Sequence, residues 1–124
     1  MKLLNILIII ALIGISTFSC TSSSTETSIS MSEFKKLYSQ NQNINVIDVR
    51  TQGEFNGPLG HIPTAKLMPL SNIQESVNIL KKLGSESIYV VCRSGNRSGR
   101  ATSILLKNGI NAINVEGGMK AWNQ

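Results

Sequence analysis

Seven consecutive residues, Cys92-Arg93-Ser94-Gly95-Asn96-Arg97-Ser98, combine a thiol, two guanidinium groups and the small polar residues of a tight turn. Such a loop curls successive backbone N–H groups around one point and makes a nest for an anion. A helix opening directly behind it adds unsatisfied amides and the positive end of its dipole. The amides, the dipole and the arginines all favour thiolate over thiol, so Cys92 reads as a nucleophile of lowered pKa. A small core residue closing a buried strand would account for the cysteine. It would not account for the Arg-Ser-Gly-Asn-Arg that follows.

The flanking segments must hold this loop in place. Residues 88–91, Ile-Tyr-Val-Val, predict a buried strand. Between residues 98 and 107, Ala101, Ile104 and Leu105 recur at helical spacing, and Gly109 supplies a stop. The cysteine thus stands at the carboxyl end of a strand and ahead of a helix, where open α/β sheets bind their ligands. Residues 44–49 predict a second strand, buried on both faces, that ends in Asp48-Val49-Arg50. Asp48 and Arg50 either brace the neighbouring cysteine loop or form a loop-capping ion pair, and Glu54 is placed with them as a supporting residue. His61, the only histidine, lies in the turn-rich stretch 57–63 and could be a general base or a structural residue.

Further elements follow from local patterning. Ile29 suggests a short edge strand, and Ser30 with Glu33 fits a capping box ahead of a helix faced by Phe34 and Leu37. A short strand is expected around 65–68. Ser71 is expected to cap a helix running to Leu83, with Ile73, Val77, Leu80 and Leu83 on one face. Residues 112–115 predict the last strand, and Gly117-Gly118 a turn into a terminal helix on which Trp122 plugs the core. Alternating strands and helices with β-branched strands predict a parallel α/β sheet covered by helices.

The start of the chain has a different character. Residues 1–19 open with Lys2, continue apolar from Leu3 to Ile15 apart from Asn5, and end in small residues, the pattern of a secretory signal peptide. A retained membrane span is the second reading, because the apolar run is short. Ser19-Cys20 resembles the lipobox of bacterial lipoproteins, with Thr17 where that motif has leucine, which makes Cys20 the expected lipid-attachment residue. Residues 20–28 are expected to include a polar Ser/Thr-rich tether, and residues 29–124 the folded domain. The expected location is across the bacterial inner membrane, anchored and facing the periplasm or cell exterior. Removing residues 1–19 takes away Lys2 alone among the charges, lowering the formal charge from +5 to +4. That balance suits an anionic substrate and is too dispersed for a nucleic-acid partner. With Cys20 outside the domain, Cys92 has no internal disulfide partner. No Cys/His spacing suggests a metal.

Residues 91–98, Val-Cys-Arg-Ser-Gly-Asn-Arg-Ser, resemble the active-site loop of single-domain rhodaneses, the thiosulfate sulfurtransferases. Asp48-Val49-Arg50 with Glu54-Phe55 and Gly60-His61-Ile62-Pro63 resembles a second signature of that family, and Gly117-Gly118-Met119 with Trp122 a third. The three occur in the family's order and span residue 29 to the C-terminus. The resemblance implies a rhodanese-like α/β domain with a central parallel five-stranded sheet flanked by helices on both faces. It implies sulfane sulfur transfer from thiosulfate or a similar donor to cyanide or a thiol through a Cys92 persulfide, with no cofactor. Arg93, Ser94, Gly95, Asn96, Arg97 and Ser98 would bind substrate; Asp48, Arg50, Glu54 and His61 would be mainly architectural. A monomer is expected. The alternatives are a persulfide carrier or interaction module without turnover, a stress protein differing only in acceptor, and a cysteine phosphatase. Phosphatase loops need Cys-x5-Arg, whereas here the spacing is Cys-x4-Arg with Ser98 where the arginine would stand.

Overall fold

The structure, a computed structural model, describes residues 27–124. The expected signal segment, Cys20 and most of the tether lie outside the described residues. Five strands, β1 (Ser28–Ser30), β2 (Asn45–Asp48), β3 (Lys66–Leu67), β4 (Ile88–Val91) and β5 (Ala112–Glu116), form one sheet in the order β1-β5-β4-β2-β3. Every pairing is parallel. The helices are α1 (Met31–Gln40), α2 (Gln52–Phe55), α3 (Ile73–Leu80), α4 (Asn96–Lys107) and α5 (Gly118–Trp122).

Side chains alternate across each strand, so a sheet covered on both faces sends apolar residues to both sides. Ile47, Ile88, Val90 and Ala112 point into one core with Ile73, Val77 and Leu80 of α3 and Ala101 and Leu105 of α4. Val46, Val91 and Val115 point into the other with Met31, Phe34 and Tyr38 of α1 and Met119 of α5. Burying each large side chain in these layers contributes roughly 1.5–3 kcal/mol. Trp122 is half-buried on the second layer, edge-on to Tyr38 at 5.6 Å between ring centroids, as expected of a core plug.

Several boundaries differ from the sequence expectation. Ser28 is part of β1 rather than of the tether, because its backbone pairs with Asn114 of β5. Ser71 does not cap α3: its hydroxyl bonds the Asn72 side chain at 2.8 Å, and residues Leu70–Asn72 form a 3-10 turn ahead of the helix. The helix likewise ends early, in a second 3-10 turn over Lys81–Leu83, and the chain leaves through Gly84 at φ +65°. The capping box at Ser30 and Glu33 is present as expected. A second one, Thr51 with Glu54, opens α2. α4 begins at Asn96, before the expected Ser98, because Gly95 at φ +109° turns the chain directly into the helix. That early start puts Arg97 and Ser98 in the helix's first turn.

Candidate active site

β4 and β2 run side by side and finish together, joined past the last strand residue by Val49 N–H donating to Val91 O at 2.9 Å. This brings the Cys92 loop and the Asp48-Val49-Arg50 segment to one end of the sheet. Cys92 follows β4 directly, and only 1 % of the residue is exposed. Its Sγ receives the Gly95 N–H at 3.1 Å and lies 3.3 Å from Ser98 Oγ. Burial pushes the Cys92 thiol up, but the Ser98 hydroxyl and the backbone amides of Ser98, Gly95 and Ser94 more than offset it. The thiol's pKa therefore lies below the usual cysteine value, and it is the ring of donors that puts it there.

The loop is clamped from behind by α5. Met119 N–H donates to Cys92 O at 2.8 Å and Lys120 N–H to Arg93 O at 3.0 Å. That approach requires glycine at 118. With φ at +55°, a Cβ there would collide with Cys92 O and stand 2.6 Å from the Arg93 carbonyl carbon. Gly118 and the two amides beyond it thus hold the cysteine loop in place, a contact that the turn read at Gly117-Gly118 did not disclose.

The two loop arginines play unequal parts. Arg93 is exposed, as are Ser94 and Asn96. Arg97 makes a two-pronged pair with Glu54, Nη1 to Oε2 and Nη2 to Oε1, both 2.7 Å. Arg97 holds the Glu54 carboxyl down at about 2, burial opposing and the Thr51 bonds assisting. Glu54 in turn raises the already high pKa of Arg97. Arg97 is thus a positioning residue whose charge is largely matched, and Glu54 is the group that ties α2 to the first turn of α4.

Asp48 and Arg50 form the ion pair of the architectural reading. Arg50 Nη2 lies 2.7 Å from Asp48 Oδ2, and each side chain is 1 % exposed. The remaining guanidinium donors go to Glu54 O at 3.2 Å and Gly60 O at 2.6 Å. The pair therefore braces the 54–60 segment rather than the sulfur. Removing one member of such a buried pair costs about 3–5 kcal/mol, because the other charge is left unpaired. His61 is structural: its ring stacks on Phe55 with centroids 3.7 Å apart, and Nδ1 lies 2.9 Å from Phe55 O.

A thiol of lowered pKa, ringed by amides at the carboxyl end of a parallel sheet, can attack an electrophilic sulfur and then hold the anionic product. The chain matches the rhodanese-like domain family over residues 30–124. It is 40% identical over 91 residues to YqhL, an uncharacterized protein of Bacillus subtilis (strain 168), covering 73% of this chain and 67% of that one. It is 30% identical over 112 residues to the adenylyltransferase and sulfurtransferase MOCS3 of Arabidopsis thaliana, but spans only 24% of that longer protein. The crystal structure of a rhodanese-like domain protein from Staphylococcus aureus superposes with a TM-score of 0.69 at 41% identity, covering 77% of this chain and 90% of that chain. With motif, fold and loop in agreement over nearly all of the described residues, this chain belongs to the rhodanese-like domain family.

Proposed function

We propose that this chain is a sulfurtransferase that moves a sulfane sulfur from thiosulfate or a related donor to a thiophilic acceptor through a persulfide on Cys92. The observation that carries this reading is the setting of Sγ, buried and held by the Gly95 amide at 3.1 Å and the Ser98 hydroxyl at 3.3 Å. The resemblance to a plant protein described as a sulfurtransferase supports it. In the first step the Cys92 thiolate attacks the outer sulfur of thiosulfate. A bond forms between Sγ and that sulfur, the sulfur–sulfur bond of the donor breaks, and its electron pair leaves with sulfite. The loop amides stabilise the resulting persulfide anion, and the exposed Arg93 meets the donor's oxyanion. In the second step a nucleophile such as cyanide takes the outer sulfur and returns Cys92 to the thiolate. The domain is expected to form thiocyanate from thiosulfate and cyanide, and Cys92→Ser to abolish this while unfolding like the wild type. Turnover retained in that variant would remove Cys92 from the mechanism.

One observation favours a second reading. With Cys92 only 1 % exposed, the sulfur suits storage as well as turnover, so the domain could carry a persulfide for a single partner. A stable protein persulfide, seen by intact mass, together with negligible turnover of thiosulfate would select the carrier over the enzyme.

We further propose that the chain is exported and anchored through a lipidated Cys20, with residues 1–19 removed, on the lipobox-like Ser19-Cys20 and the apolar run before it. Intact mass from a membrane fraction should show an acylated Cys20 N-terminus; a soluble, unmodified product would refute it.

A further inference from the structure

Beside the cysteine loop lies a cavity of about 380 Å3, lined by Arg50, Glu54, Pro58, Leu59, Arg93 and Lys120. Its charges are not equivalent. The Arg50 guanidinium is bound to buried Asp48, and the Glu54 carboxylate is gripped by Arg97. Among the described residues, neither Arg93 nor Lys120 takes part in an ion pair, and both are exposed. The cavity therefore presents two unmatched cations above an apolar wall supplied by Pro58 and Leu59. It is joined to the cysteine loop, because Arg93 adjoins Cys92 and Lys120 N–H donates to Arg93 O at 3.0 Å. Arg93 and Lys120 are thus registered to each other by a main-chain bond, although they are far apart in sequence. Both cations thus stand on the segments that frame the cysteine loop rather than on a separate surface.

We infer that this cavity is the acceptor site, and that it selects an organic thiol bearing a carboxylate, with Lys120 and Arg93 on the carboxylate and the carbon chain against Pro58 and Leu59. The inference rests on the sulfur-transfer reading. A purely inorganic acceptor would have no use for the apolar wall, and a neutral thiol none for the two cations. The acceptor thiolate attacks the outer sulfur of the Cys92 persulfide and a new sulfur–sulfur bond forms. The bond to Sγ breaks, its electron pair stays on Cys92 as thiolate, and the acceptor leaves as an organic persulfide. That outer sulfur stands about 2 Å beyond Sγ, which lessens the barrier that burial of Cys92 sets.

The test uses two alkylating probes of similar size, anionic iodoacetate and neutral iodoacetamide, on the reduced domain. One cation about 6 Å from an anion in water-like surroundings is worth roughly threefold. The ratio of iodoacetate to iodoacetamide rates at Cys92 should fall about threefold in Lys120→Ala and further in Lys120→Glu, with the difference shrinking as salt is added. Lys107→Ala, at the far end of α4, should leave the ratio unchanged. With persulfidated enzyme, the KM for 3-mercaptopropionate should rise severalfold in Lys120→Ala relative to that for 2-mercaptoethanol. A rate ratio indifferent to Lys120 overturns the charged site, whether or not sulfur is transferred. A ratio that responds, with no discrimination between the two thiols, overturns the assignment of the acceptor. Because alkylation needs no turnover, failure to form any persulfide would instead strike the sulfur-transfer reading.

Discussion

Ser98→Ala isolates one of the groups that favour the Cys92 thiolate. Ser98 is fully buried, and its hydroxyl stands 3.3 Å from Sγ and 3.1 Å from Gly95 O, yet it has one proton to give. While Cys92 is a thiol, its S–H can donate to Oγ and the hydroxyl proton satisfies Gly95 O. When the thiolate forms, the hydroxyl must turn to Sγ, and Gly95 O gives up that bond. A hydrogen bond to a charged group is worth about 1.5–3 kcal/mol and a neutral one about 1, so the net stabilisation of the thiolate is roughly 0.5–2 kcal/mol. At 1.36 kcal/mol per unit, Ser98→Ala should raise the Cys92 pKa by roughly one unit. The Gly95, Ser94 and residue-98 amides remain, so the variant should still ionise below the value that burial alone would set. The assay is the pH dependence of alkylation by iodoacetamide, followed in parallel by the ultraviolet absorbance of the thiolate. A depressed native pKa has a defined sign for stability as well. The contribution is present above the unfolded thiol's pKa and is lost as the pH falls through the folded one. The stability gap between wild type and Ser98→Ala should therefore widen toward alkaline pH. A midpoint that does not move on removing the hydroxyl would show that the amides alone set the ionisation and would refute the switching hydroxyl.

Gly118→Ala should destabilise the domain by about 3 kcal/mol in urea unfolding. About 1 of this comes from the positive φ, and about 1 from each of the two amide bonds to Cys92 O and Arg93 O that the clash would disrupt. Gly99→Ala, whose Cβ would meet only the Asn114 side chain, no nearer than 3.5 Å, should be neutral or slightly stabilising; equal effects from the two would refute the close-approach explanation. The Glu54–Arg97 pair should add stability that is present above about pH 4.5 and lost as the pH falls through about 2. Both side chains are about a third exposed, so water holds the pair to roughly 1 kcal/mol. Unfolding free energies of wild type and Glu54→Gln from denaturant titrations should differ by that amount near neutrality and converge in strong acid; a constant gap would point to packing instead.

Much of the sheet was legible because strands covered on both faces are dominated by apolar residues, as residues 88–91 are throughout and residues 44–49 are apart from Asn45 and Asp48. The loop was legible because its chemistry is written in seven adjacent residues. What lay beyond reach was whatever joins distant positions. Arg97 and Glu54 are 43 residues apart, and nothing local announces that the arginine's charge is spent there. The two loop arginines therefore looked equal in the sequence and are unequal in the fold. The Thr51 capping box could have been found, since Thr51-x-x-Glu54 repeats the pattern of Ser30-x-x-Glu33. It was hidden because the helix behind it is a single turn with no apolar period. Ser71 failed as a cap for the opposite reason: the residue type was right, but backbone bonds from Leu70 N–H to Val49 O and from Asn72 N–H to Pro69 O drew the chain into a 3-10 turn first.

The geometry also explains how a glycine on one element governs a sulfur on another. In a trans peptide the carbonyl and the following N–H point in opposite directions from one rigid plane. Lys120 N–H holds the Arg93 carbonyl toward α5, so the N–H of Ser94 in the same plane faces the other way. Ser94 N–H is one of the amides that lower the Cys92 pKa, alongside those of Gly95 and Ser98. The Cys92 carbonyl, fixed by Met119 N–H, holds the preceding plane in the same manner. Both planes are locked only because Gly118 lets α5 come close enough for its amides to reach them. The ring that stabilises the thiolate is thus aimed from behind, by main-chain bonds, and the side chains of Arg93, Ser94 and Asn96 stay exposed.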